Sequence, residues 1–102
     1  MKITIPKNSL SENPESWLRH AGYGLIFDRR RGVQSFVRRL GQNFYPRIHL
    51  YVEEGGDNWV FSLHLDQKQA SYEGSHMHNA EYDSEVVSQE VERLKSLLLF
   101  TL

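Results

Sequence analysis

Residues 47–66 constrain the fold more than any other part of the chain. Ile48, Leu50 and Val52 alternate with Arg47, His49, Tyr51 and Glu53, and Trp59, Phe61, Leu63 and Leu65 alternate with Val60, Ser62, His64 and Asp66. A hydrophobic period of two is that of a strand with one buried face, and Gly55-Gly56 between the two runs is a turn signal. The segment therefore predicts an antiparallel hairpin. For the apolar sets to share a face the loop must hold an even number of residues, because a slip of one residue turns every side chain over. A two-residue turn at 55–56 sets His64 opposite Arg47, and a four-residue loop at 55–58 sets it opposite His49. In both registers His49 and His64 are neighbours on the side away from the core.

The rest of the chain is read around that hairpin. Residues 2–5 alternate polar with β-branched side chains and predict a short strand whose neighbour the sequence does not assign. Asn13-Pro14 predicts a helix start, since the Asn side chain accepts an orphan N–H and Pro fits the first helical position. Trp17, Leu18 and Ala21 give this helix a narrow apolar stripe, and Gly22 ends it after about two turns. Residues 23–28 and 34–40 predict two more strands, with turns at Arg31-Gly32 and at 41–46. Polarity is high and periodicity absent over 67–82, which predicts a long loop. Asp83 then reads as a helix cap, and Val87, Val91, Leu94 and Leu98 form an i, i+4, i+7, i+11 stripe widened by Val86 and Leu97. The expected fold is α+β, a mainly antiparallel meander of four or five strands, with the C-terminal helix across one face and the short N-terminal helix at an end. The whole chain, 1–102, is expected to be a single domain.

Composition removes several chemistries. With no cysteine the chain has no disulfide, thiolate metal site or cysteine nucleophile. No run approaches the roughly 18 apolar residues of a membrane span, and the first residues lack the apolar core of a signal peptide. A cytoplasmic protein without a membrane partner is the resulting expectation. The net charge of −1 conceals an asymmetry. Residues 19–49 carry Arg19, Arg29, Arg30, Arg31, Arg38, Arg39 and Arg47 against Asp28, a local +6, whereas residues 50–102 sum to −7. Charge runs of this kind are ordinarily solvated surface. Their functional reading is an RNA- or DNA-binding patch of Arg29, Arg30, Arg31, Arg38, Arg39 and Arg47, because guanidinium forks match phosphate oxygens and Phe44 or Tyr45 can stack on bases.

The most unusual local feature is His76-Met77-His78 in the long loop, followed by Glu81, Tyr82 and Asp83. Imidazoles and carboxylates are the available ligands when thiolates are absent, and two histidines two residues apart project to one side of an extended segment. A divalent transition metal, zinc above all, is the expected cofactor. Its ligands would be His64, His76 and His78 with Asp66 or Glu81, supported by His49 and Tyr82. Solvated loop histidines are the plain alternative.

Two family resemblances attach to the same residues. His-Met-His resembles the histidine-hydrophobe-histidine element of rolling-circle replication endonucleases, which implies a metal site with Tyr82 as nucleophile. Here Gly74, Ser75, Asn79 and Ala80 flank the element where that family has apolar strand residues. Ile48-His49-Leu50 and Leu63-His64-Leu65 resemble the paired motifs of the two-histidine phosphoesterases, with Tyr51 and Asp66 where those motifs carry Thr or Ser. That resemblance implies acid-base work on a phosphodiester by His49 and His64. The sequence thus offers four functional readings: metal or ligand binding at the histidines, nucleic-acid binding at the arginines, protein interaction or homodimerisation through the apolar tail at 97–102, and a histidine-dependent phosphodiesterase.

Overall fold

The 47–66 hairpin forms the middle of the sheet. In the computed structural model, which describes residues 1–29, 32–67 and 80–100, with 28, 80–82 and 100 described through the backbone alone, the hairpin strands are β4 (Arg47–Gly55) and β5 (Asn58–Asp66). Gly55 pairs with Asn58 and His49 with His64, so the second of the two admissible registers is the one adopted. Gly56, at φ 61°, supplies the left-handed residue that the tight reversal requires.

On one side β4 pairs with β3 (Val33–Arg39), which pairs with the edge strand β2 (Gly24–Asp28). On the other, β1 (Lys2–Pro6) runs antiparallel along β5. The sheet order is β1-β5-β4-β3-β2. Strands β2 to β5 are the predicted meander, and β1, which the sequence left without a neighbour, closes the far edge. A short 3₁₀ turn, Lys7–Ser9, follows β1 and had no sequence signal.

Helix α1 (Pro14–His20) carries the chain from the β1 edge back to the β2 edge. Its start is as predicted: the Asn13 side chain accepts the Ser16 N–H at 2.8 Å and Pro14 occupies the first turn. At its end Gly22, with φ 101°, turns the chain so that the Tyr23 N–H reaches the Leu18 carbonyl at 2.9 Å. Helix α2 (Ala80–Phe100) begins three residues before the expected cap. Asp83 lies inside the first turn, where its charge suits the helix dipole, and its carboxylate accepts the Gln67 side-chain amide at 2.6 Å.

Both helices lie on one face of the sheet. Leu18, Ile48, Leu50, Phe61 and Leu94 are fully buried there, with Trp17, Ile5, Val87 and Val91 around them. Burial of each such side chain contributes about 1.5–3 kcal/mol. The odd-numbered residues of β4 and their partners on β5 point the other way, and no described helix crosses that open face. None of the described helices is long and apolar enough to cross a membrane.

One polar cluster interrupts the core. Glu90, within the apolar stripe of α2 and 4% exposed, accepts the Tyr23 hydroxyl at 2.5 Å and two bonds from Arg93 at 2.8 Å. Arg93 also donates to the Ala21 carbonyl at 2.7 Å, and Arg38 reaches Glu90 at 3.4 Å. A buried carboxylate needs such compensation. The cluster ties α2 to the α1–β2 connection and to the end of β3.

Candidate functional site

The open face gathers its charged and aromatic side chains at one end, where β3 finishes and β4 begins. Arg39 and Arg47 are direct cross-strand partners. Alternation places both on the open face, whereas Arg38, opposite Ile48, points to the helices. Like charges facing each other across a ladder repel, so the arrangement requires compensation. Part of it comes from the 40–46 connection, which the Leu40 N–H closes on the Pro46 carbonyl at 3.1 Å. This segment sets Phe44 4.5 Å from the Arg39 guanidinium carbon and Tyr45 4.8 Å from that of Arg47, both within cation–π range. The rest comes from Asp66, opposite Arg47, whose Oδ2 accepts the Arg47 Nε–H at 3.2 Å.

A groove of about 490 Å³ runs beside these side chains, lined by Gly22, Gly24, Leu25, Ile26, Val37, Arg38, Arg39, Phe44 and Arg47. Gly24 leaves open space where a side chain would stand. Phe44 is 63% exposed at the rim. The groove therefore offers two stacked guanidinium groups, accessible ring surface and an apolar floor.

Along the same face, away from the groove, a hydrogen-bonded chain crosses three strands. His49 Nδ1–H donates to Asp66 Oδ2 at 2.9 Å, and His49 Nε2 accepts the Ser35 hydroxyl at 2.8 Å. The tautomer follows from the carboxylate being an acceptor only. The Tyr51 ring stacks on His49 with centroids 4.6 Å apart and meets His64 edge-on at 6.1 Å. The serine, histidine and aspartate stand in the order of a nucleophile relay, yet Ser35 has no exposed surface. A hydroxyl that no electrophile can reach serves to orient the imidazole.

The structure brings together part of what the sequence singled out. His49, His64 and Asp66 do share the open face, as the hairpin parity requires. Both ring nitrogens of His49 are engaged by Ser35 and Asp66, so His49 stands as an oriented side chain beside Asp66. His76, His78, Arg30 and Arg31 lie outside the described residues, as do the side chains of Glu81 and Tyr82. Among the described residues no group of three histidine and carboxylate side chains is placed to hold a metal ion. The arginine patch divides. Arg38, Arg39 and Arg47 meet at the groove, while Arg29 follows β2 at the opposite end, six strand positions or about 20 Å away. Two participants carried no usable sequence signal: Glu90, which fixes Arg38, and Ser35, which fixes His49.

No protein-family model matches the chain, and neither curated proteins nor solved structures include a significant match.

Proposed function

We propose that the groove at the Arg39–Arg47 end of the sheet binds single-stranded nucleic acid, with phosphate taken by the two guanidinium groups and a base stacked on Phe44. The observation that supports this reading is the facing pair Arg39 and Arg47, each on its own aromatic ring. A folded sheet gains nothing from opposing two cations, and an anion between them converts the repulsion into attraction. Unstacked bases suit an exposed ring beside an open groove, because every base has a π face. A duplex keeps its bases stacked and offers this ring nothing.

Fluorescence anisotropy of a labelled ten-nucleotide RNA and its DNA equivalent tests the reading. Two neutralised phosphates give a slope of log affinity against log salt of about −1.4, whereas a patch using all six arginines gives about −4.2. Arg39→Glu is expected to abolish binding, and Phe44→Ala to weaken it by about 1–3 kcal/mol. Arg29→Glu, outside the groove, is expected to change it little. No binding of either oligonucleotide at low salt, or binding that survives Arg39→Glu, ends the proposal.

A further inference from the structure

Two carboxylates contact the arginines around the groove, and they are held differently. Glu90 is 4% exposed and accepts from Tyr23, Arg93 and Arg38 together. Its bond to Arg38, whose own side chain is 31% exposed, is backed by three further bonds that hold the buried carboxylate in place. Asp66 has a side chain 28% exposed and is gripped more loosely. A single oxygen, Oδ2, takes both described bonds, from Arg47 Nε at 3.2 Å and from His49 Nδ1 at 2.9 Å. The Arg47 bond is at the long end of the N–H···O range, and it is one bond where a guanidinium and a carboxylate can form a two-bond fork.

We propose that Asp66 is an internal stand-in for the ligand's phosphate, an anion that occupies Arg47 in the free protein and is exchanged for phosphate on binding. This rests on the nucleic-acid reading of the groove. Three features fit an exchangeable counter-anion. Arg47 lies between the Asp66 carboxylate on β5 and Arg39 on β3, so a phosphate arriving beside Arg39 finds Arg47 within one strand spacing. The Tyr45 ring lies 4.8 Å from the Arg47 guanidinium carbon, a contact that does not depend on the Asp66 carboxylate. Asp66 is not stranded when Arg47 leaves, because His49, held from behind by Ser35, continues to donate to it. The free protein is thereby spared a bare Arg39–Arg47 repulsion, and affinity for phosphate is held below what two unopposed arginines would give.

The test is the same anisotropy titration on Asp66→Asn, which keeps an oxygen for His49 and removes the charge, after circular dichroism has shown an unchanged melting profile. Release from a partly exposed ion pair corresponds to binding tighter by about two- to five-fold. Asp57→Asn, in the β4–β5 turn about 30 Å along the strand, removes the same unit of charge and is expected to leave affinity unchanged. In an Arg47→Ala background the gain from Asp66→Asn is expected to vanish, which a double-mutant cycle reads directly. Asp66→Ser repeats the measurement should the asparagine disturb the fold. If the wild type binds and neither Asp66 variant binds more tightly, or if Asp57→Asn gives the same gain, or if the gain persists without Arg47, the exchange is refuted while the groove reading stands. If neither the wild type nor the Asp66 variants bind, both fall together.

Discussion

Replacing Tyr23 with Phe isolates the buried polar cluster from the rest of the core. Tyr23 is 4% exposed and its hydroxyl donates to Glu90 at 2.5 Å. Burial pushes this hydroxyl far above the ordinary tyrosine value of 10.0; the bond to Glu90 and the carboxylate's charge add to the shift, while Arg93 and Arg38 oppose it. The hydrogen bond to Glu90 likewise raises the Arg93 guanidinium, which stays charged throughout. At neutral pH the substitution removes one hydrogen bond to a charged acceptor, a loss of about 1.5 kcal/mol. The sign at high pH follows from linkage. Above pH 10 the unfolded chain sheds the tyrosine proton and the folded chain keeps it, so the stability owed to Tyr23 is complete below pH 10 and lost above it. For one proton the loss is about 1.4 kcal/mol at pH 11 and about 2.7 kcal/mol at pH 12. Tyr23→Phe is therefore less stable than the wild type near pH 8, equal to it near pH 11 and more stable by pH 12. Urea unfolding followed by Trp17 and Trp59 fluorescence measures both proteins, and the remaining lysines and tyrosines cancel in the difference. A stability difference that stays constant from pH 8 to 12 would refute the buried-hydroxyl argument.

Two further outcomes are expected. Truncating Leu50 or Phe61 to Ala, both fully buried under the helices, should cost about 2–5 kcal/mol in the same unfolding assay, and a cost near zero would contradict the packing of helices on this face. The metal reading of the sequence, with His64, His76 and His78 as ligands, predicts about one equivalent of zinc by elemental analysis of tag-free protein. That zinc should be lost in His76→Ala/His78→Ala, and in wild type as pH falls below about 6, where imidazoles protonate; less than a tenth of an equivalent after zinc addition would dismiss it.

What the sequence made legible followed from periodicity and local chemistry. The parity of Ile48, Leu50, Phe61 and Leu63 fixed which face of the hairpin is buried, and Asn13-Pro14 fixed where α1 begins, since both signals are written within a few residues. The choice between the two hairpin registers was not legible, because Gly55 and Gly56 serve either one; only pairing of Gly55 with Asn58 decides it. The position of β1 was likewise hidden, since a five-residue alternating strand fits either edge of a meander. Glu90 carries no local signal within its helical stripe: its partners Tyr23 and Arg38 are 67 and 52 residues away, and nothing local distinguishes a buried glutamate from a solvated one. The Arg39–Arg47 pairing was one of two alternatives. The run Gln34-Ser35-Phe36-Val37-Arg38-Arg39 offers both Phe36 and Val37 as core residues, and choosing Phe36 sends Arg39 to the same face as Arg47. The sequence alone gave no reason to prefer it, because both residues suit a half-buried strand.

The two adjacent arginines of β3 show how one dipeptide divides between structure and chemistry. Alternation sends Arg38 into the Glu90 cluster beneath the helices and Arg39 onto the exposed Phe44 ring. Sequence counting treats them as equal members of a basic patch. In the fold, Arg38 is held by a carboxylate that is 4% exposed, so its removal leaves Glu90 with fewer donors and weakens the protein. Removal of Arg39 breaks no described ion pair and relieves a like-charge contact with Arg47. Loss of binding on replacing both together would therefore confound a weakened fold with a lost ligand group. Arg39 changed singly, with Arg38 left in place, separates them: a function located in the groove follows Arg39, and the integrity of the α2–β3 contact follows Arg38.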